Sequence, residues 1–139
     1  MASQPVVVVI DDSPTIRKIL ELTLQRLGFR VYSAASGVAG LAAIAEHRPV
    51  LIFLDIMLPH VNGYQLCQVI KKNPRYAHIP VIMLSGKDGL FDKMRGRLAG
   101  ANDYITKPFE PGAVLAAVQK HVPDLAPRPL QRTAAGFGR

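Results

Sequence analysis

Apolar positions follow two rhythms along this chain, and the rhythms take turns. Val6–Ile10 and Val50–Leu54 are unbroken apolar runs, the pattern of strands buried on both faces. Between them, Ile16, Ile19, Leu20, Thr23, Leu24 and Leu27 recur at helical spacing. Ser13 supplies an N-cap, Pro14 a first helical position and Gly28 a stop. Arg30–Ala34 reads as a short second strand. Gly37–His47 reads as an Ala-rich helix with Val38, Leu41, Ala42, Ile44 and Ala45 inward, punctuated by Pro49. A loop from Asp55 to Asn62 leads into a helix at Gly63–Asn73, with Leu66, Val69 and Ile70 on one side. Pro74–Pro80 is a turn region, followed by a strand at Val81–Leu84. Leu90–Ala99 is a weak fourth helix, flanked by Gly89 and Gly100 and interrupted by Gly96. A strand at Asp103–Ile105 and a helix at Glu110–His121 complete the series.

Strands that alternate with helices pair in parallel, because each helix is the crossover that returns the chain. Right-handed crossovers place helices on both faces, so the pattern predicts a doubly wound α/β domain over residues 5–123. From Asp124 to Arg139 the sequence turns to Pro, Arg, Gly and Ala, and we read it as a flexible tail. Composition adds limits. Of the net charge of +7, the tail contributes three Arg against one Asp, and no nucleic-acid-binding motif accompanies the rest. A single cysteine, Cys67, excludes an internal disulfide and suits a reducing compartment. No apolar run approaches the ~18 residues of a membrane span. The start, Met1-Ala2-Ser3-Gln4, has no signal-peptide pattern, so a cytoplasmic protein is expected.

In a doubly wound sheet, ligands bind beyond the carboxyl ends of the strands. There the first strand delivers Asp11-Asp12, the third Asp55, the fourth Ser85, and the fifth leads to Lys107-Pro108. Converging carboxylates repel unless a cation neutralises them, and all-oxygen ligands favour a hard ion such as Mg²⁺. Lys107 can pair with an incoming phosphate, and Ser85 offers a hydroxyl. Such a set stabilises a transferring phosphoryl group. Asp55, alone on the central strand, is the candidate nucleophile, while Asp11 and Asp12 come as a pair suited to metal.

These residues carry a family resemblance. Val8-Val9-Ile10-Asp11-Asp12-Ser13, Leu54-Asp55-Ile56-Met57-Leu58-Pro59, Asn62-Gly63-Tyr64, Pro80-Val81-Ile82-Met83-Leu84-Ser85 and Lys107-Pro108-Phe109 resemble the receiver domains of two-component response regulators. Similarity is to single-domain, chemotaxis-type regulators over roughly Val6–Val122, and the stretch Ser85–Lys93 looks most like twitching-motility regulators of type IV pilus systems. The resemblance implies a flavodoxin-like five-stranded sheet of order 2-1-3-4-5. It implies Asp55 as phosphoacceptor and Asp11, Asp12, Asp55 and the Met57 carbonyl as Mg²⁺ ligands. Ser85, Tyr104 and Lys107 become the switch and phosphate-binding residues, and Pro108 is expected to follow a cis bond. The implied partners are a histidine kinase of chemosensory type and a downstream effector on the face of the fourth helix, fifth strand and fifth helix. Direct nucleic-acid contact is not expected, nor is catalytic turnover, and the chain is expected to be a monomer or weak dimer.

Several positions depart from the family's habit. Asn62 stands where Asp is common and suggests turn chemistry. Gly86 follows the switch serine where Ala is common. Met57 and Lys87 occupy positions that tune hydrolysis. Met57 cannot orient a water by hydrogen bonding, so a phosphoryl state lasting minutes or more is expected. Cys67 is expected in or near the core, and His47, His60, His78 and His121 on the surface, since none has metal-ligand spacing. Lys93, Arg95 and Arg97 read as a solvated face or a surface for an acidic partner. Competing readings are a receiver within a longer regulator, an aspartyl-phosphate hydrolase and a phosphorylation-independent module. The hydrolase needs a second Asp that Asp11-Asp12-Ser13-Pro14-Thr15 lacks at the required spacing.

Overall fold

The computed structural model describes residues 4–86 and 90–125, with the side chains of residues 90–92 and 111 outside that description. Five parallel strands form one sheet: β1 (Val6–Ile10), β2 (Arg30–Ala34), β3 (Leu51–Asp55), β4 (Val81–Ser85) and β5 (Asp103–Thr106). Their order across the sheet is β2-β1-β3-β4-β5, as the resemblance implied. Helices α1 (Pro14–Arg26), α2 (Gly37–His47), α3 (Gly63–Lys72) and α4 (Leu90–Leu98) supply the connections, and α5 (Pro111–His121) follows the last strand.

Period-two alternation along each strand divides the core into two layers. Val8, Ile10, Ile52, Leu54, Val81 and Met83 face α2 and α3, meeting Ile44, Leu66, Cys67 and Ile70. Val7, Val9, Leu51, Phe53, Ile82 and Leu84 face α1 and α5, meeting Leu20, Leu24, Val114 and Val118. Every residue of β3 and β4 is buried, which explains why the central strands read as continuous apolar runs. Each fully buried aliphatic side chain here is worth about 1.5–3 kcal/mol.

Local chemistry sets the helix ends. The Ser13 hydroxyl accepts from the Ile16 N–H at 3.3 Å, and Gly28 turns the chain after α1 at φ +95°. The Asn62 side chain accepts from the Tyr64 N–H at 2.7 Å and caps α3, so Asn62 does perform turn chemistry. The expected inward face of α2 is wrong in part. Val38 is 83% exposed, and Ala42 and Ala45 are exposed. Gly37, Gly40 and Ile44 are buried instead, Gly40 against Ile10 of β1 and Gly37 against Val61 and Leu66. A Cβ on Gly40 would run into the Ile10 side chain, so two glycines let the helix approach more closely than an alanine face could. On α3, Cys67 is buried while Val69 is 55% exposed, again a rotation from the expected face. Residues from 126 onward, including most of the expected tail, lie outside the described residues, as do Lys87 and Gly89.

The expected loop between Asp55 and Asn62 contains a small antiparallel ladder. Met57 pairs with Asn62 and Leu58 with Val61, around His60 at φ +66°. Two-residue strands are too short to leave a periodic signal. Their effect is to fold the segment after Asp55 back over the end of β3. No helix among the described residues is long and apolar enough to cross a membrane.

Candidate phosphoryl-accepting site

The carboxyl ends of β1, β3 and β4 and the segment after β5 converge. Asp11, Asp55 and Ser85 are the buried polar residues of the described chain, and Asp12 beside them is exposed. Each strand end is held by its neighbour: the Asp11 N–H donates to the Ala34 carbonyl at 3.0 Å and the Ile56 N–H to the Leu84 carbonyl at 3.0 Å. One oxygen from each of Asp11, Asp12 and Asp55 lies within 4.8 Å of the others.

Individual contacts then fix the carboxylates. The Ser13 N–H donates to Asp11 Oδ1 at 2.9 Å, and the Met57 N–H to Asp55 Oδ1 at 3.1 Å. Lys107 Nζ reaches Asp11 Oδ2 at 2.7 Å and Asp55 Oδ1 at 3.3 Å. That Asp11 oxygen is fully buried, and the Lys107 ammonium is the charge set against it. The Lys107 N–H donates to the Ser85 carbonyl, and the Lys107–Pro108 bond is cis. Gly63 closes the site from below: its N–H donates to the Ile56 carbonyl at 2.9 Å, and a Cβ there would strike the Asp55 carbonyl and the Ile56 backbone.

Electrostatics follow from this crowding. Burial, and next the charge of Asp11, push the Asp55 carboxyl from 3.8 up to about 6, only partly offset by the Met57 N–H and Lys107. Burial alone would lower Lys107. Its contact with Asp11 and the charges of both aspartates outweigh that and hold it above its ordinary value. One fixed ammonium thus faces three carboxylates, and a divalent cation would supply the missing positive charge. The all-oxygen donor set of Asp11, Asp12 and Asp55 fits such an ion.

Tyr104 lies on β5, half-buried against the α2/α3 layer of the core, with Lys93 Nζ 5.7 Å from the centre of its ring. Among the described residues, none lies within 4 Å of where a methyl on Gly86 would sit. Arg17 was missed from sequence: its Nη1 donates to the Asp11 carbonyl at 2.8 Å and ties α1 to the acidic loop. A basic residue in the first turn of a helix, where the dipole disfavours one, was the signal available. Two of the four histidines are not simply on the surface. His47 stacks on Tyr32 with ring centroids 3.5 Å apart, and His121 Nε2 lies 2.8 Å from Asp103 Oδ2. Burial would raise the Asp103 carboxyl, but His121, the Tyr104 N–H and Lys120 together hold it below its ordinary value.

An acidic cleft with one opposing lysine, at the switch point of a parallel sheet, defines a protein that accepts phosphoryl groups. Comparison with known proteins gives the same class. The response regulator receiver domain family matches residues 7–119. Protein PilG of Pseudomonas aeruginosa is 50% identical over 121 residues, covering 87% of this chain and 90% of PilG. The DNA-binding dual master transcriptional regulator RpaA of Synechocystis is 40% identical over 83% of this chain, which spans only 48% of RpaA. The receiver domain of sensor histidine kinase PA1611 from Pseudomonas aeruginosa, solved with a magnesium ion in its active-site cleft, superposes with a TM-score of 0.79. It is 27% identical, covering 88% of this chain and 99% of that one. This chain therefore belongs to the response regulator receiver family. It is a phosphoacceptor in phosphorylation-dependent signalling with a histidine kinase, rather than an enzyme that turns over a substrate.

Proposed function

We propose that Asp55 is the residue phosphorylated, by a histidine kinase of chemosensory type, in a pathway driving pilus-based twitching motility. One observation carries the reading: Asp55 is the buried carboxylate on the central strand that meets Lys107, Asp11 and Asp12 together. Similarity to PilG over most of both chains supports the pathway. An Asp55 oxygen forms the new P–O bond as the P–N bond to the kinase histidine breaks, and the electron pair stays on that imidazole. Lys107 pairs with the phosphoryl oxygens as charge builds on them. Asp11, Asp12, Asp55 and the Met57 carbonyl would hold Mg²⁺, which supplies further positive charge to those oxygens.

Phosphorylation adds roughly two negative charges at the end of β3. Ser85 and Lys107 move towards them. Tyr104, half-buried on the neighbouring strand, turns inward and reshapes the face of α4, β5 and α5. An effector protein reads that face. The protein acts in the cytoplasm as a monomer or weak dimer, through its receiver domain at residues 5–123, without contacting nucleic acid. The test is phosphotransfer from a panel of chemosensory kinases to wild type and Asp55→Asn. Wild type should be labelled rapidly by at least one kinase; equal labelling of Asp55→Asn overturns the assignment.

A further inference from the structure

At the end of the sheet opposite Asp55 lies a second built feature. The C-terminal end of α2 and the segment joining α3 to β4 enclose a cleft of about 520 Å³. Pro49, Ile79 and Tyr76 give it an apolar floor, and Arg48, Arg75 and His78 stand around it. Pro49 and Ile79 are buried, while the three basic residues are exposed. Among the described residues, neither arginine pairs with a carboxylate.

The cleft is fixed before anything binds. The Asn73 side chain accepts from the Arg75 N–H at 2.9 Å, and its carbonyl accepts from the Tyr76 and Ala77 N–H groups. Lys71 Nζ reaches across to donate to the Ala77 and Ile79 carbonyls at 3.2 and 2.6 Å. Arg48 has φ +47°, a left-handed backbone that disfavours any residue with a Cβ. It terminates α2 at a position where glycine is usual. An arginine is thus held in a strained conformation beside a preorganised cleft, without an internal partner for its charge.

We propose that this cleft docks a segment of a partner protein that presents carboxylates beside an apolar side chain. Forked guanidinium groups pair well with carboxylates, and arginine and tyrosine around an apolar floor are the composition of a docking hot spot. Because the cleft lies at the far end of the strands from Asp55, it can be occupied with or without phosphorylation. It would let a partner hold the regulator while the switching face stays free.

The test uses a fluorescein-labelled Glu-Leu-Glu-Asp peptide, followed by anisotropy and by amide shifts of the full chain. We expect shifts confined to residues 45–49 and 75–79, and affinity equal in the two phosphorylation states. Arg48→Gly with Arg75→Ala should lower affinity about tenfold, the effect of losing about 1.4 kcal/mol, while Lys93→Ala with Arg97→Ala should not. Arg48→Gly alone should raise the melting temperature while weakening the peptide, since glycine relieves the backbone. Arg75→Glu, at an exposed position, should weaken it further. Shifts centred on α4, unchanged affinity in the Arg48 and Arg75 variants, or displacement of the peptide by inorganic phosphate would each overturn the proposal.

Discussion

Removing the Asp55 charge should make the metal-free protein more stable. An acid whose carboxyl titrates higher when folded binds its proton more tightly in the folded state, so ionising it costs stability. For Asp55 that cost is absent below about pH 4, grows as pH rises from 3.8 towards about 6, and is complete above that. A shift of roughly two units corresponds to about 3 kcal/mol at about 1.4 kcal/mol per unit. Asn keeps the acceptor for the Met57 N–H but gives up the 3.3 Å attraction to Lys107, which is already counted in that shift. We therefore expect Asp55→Asn to gain about 1–3 kcal/mol at pH 7.5 in chelator, and nothing at pH ~3.5. Urea denaturation of both proteins at the two pH values measures this directly. Mg²⁺ at about a hundred times its Kd should then add about 2.7 kcal/mol to wild type and distinctly less to the variant. A variant equal to or weaker than wild type at pH 7.5 without metal would mean that the site carries no unrelieved negative charge.

Other outcomes follow from neighbouring residues. Gly63→Ala forces a methyl against the Asp55 carbonyl and Ile56 backbone, so it should slow phosphorylation more than tenfold and destabilise by about 1–3 kcal/mol, read by phosphotransfer and thermal melting. Cys67 is fully buried, and burial pushes its thiol up to about 11, so thiol reagents should label it only as fast as the protein unfolds. Met57 is 76% exposed next to the phosphoryl position and cannot hold a water, so the phosphorylated protein should persist for minutes or longer without a phosphatase, as followed by loss of label. A lifetime of seconds would contradict that role.

Much of this was legible in the chain because strands end abruptly here. Val6–Ile10 and Leu51–Leu54 are apolar to the last residue, so the Asp that follows each falls at the sheet's edge whatever the packing of the helices. The inward face of α2 was not legible in the same way. Val38, Leu41, Ala42, Ile44 and Ala45 are all apolar, and without a polar stripe the rotation is decided by Gly40 meeting Ile10, a contact between distant parts of the chain. The same limit hid Arg17, whose partner is a backbone carbonyl, and the His121–Asp103 pair, which forms only once α5 lies on β5. The ladder after Asp55 was invisible for a different reason: two residues cannot establish a period.

Reductive trapping of the acyl phosphate, followed by peptide mass spectrometry, identifies which carboxylate takes the phosphoryl group. Phosphorylation at Asp55 predicts reduction at Asp55 alone, with Asp11 and Asp12 unmodified. A trapped product at Asp11 or Asp12, or none at Asp55 after Mg²⁺-dependent labelling, would contradict it.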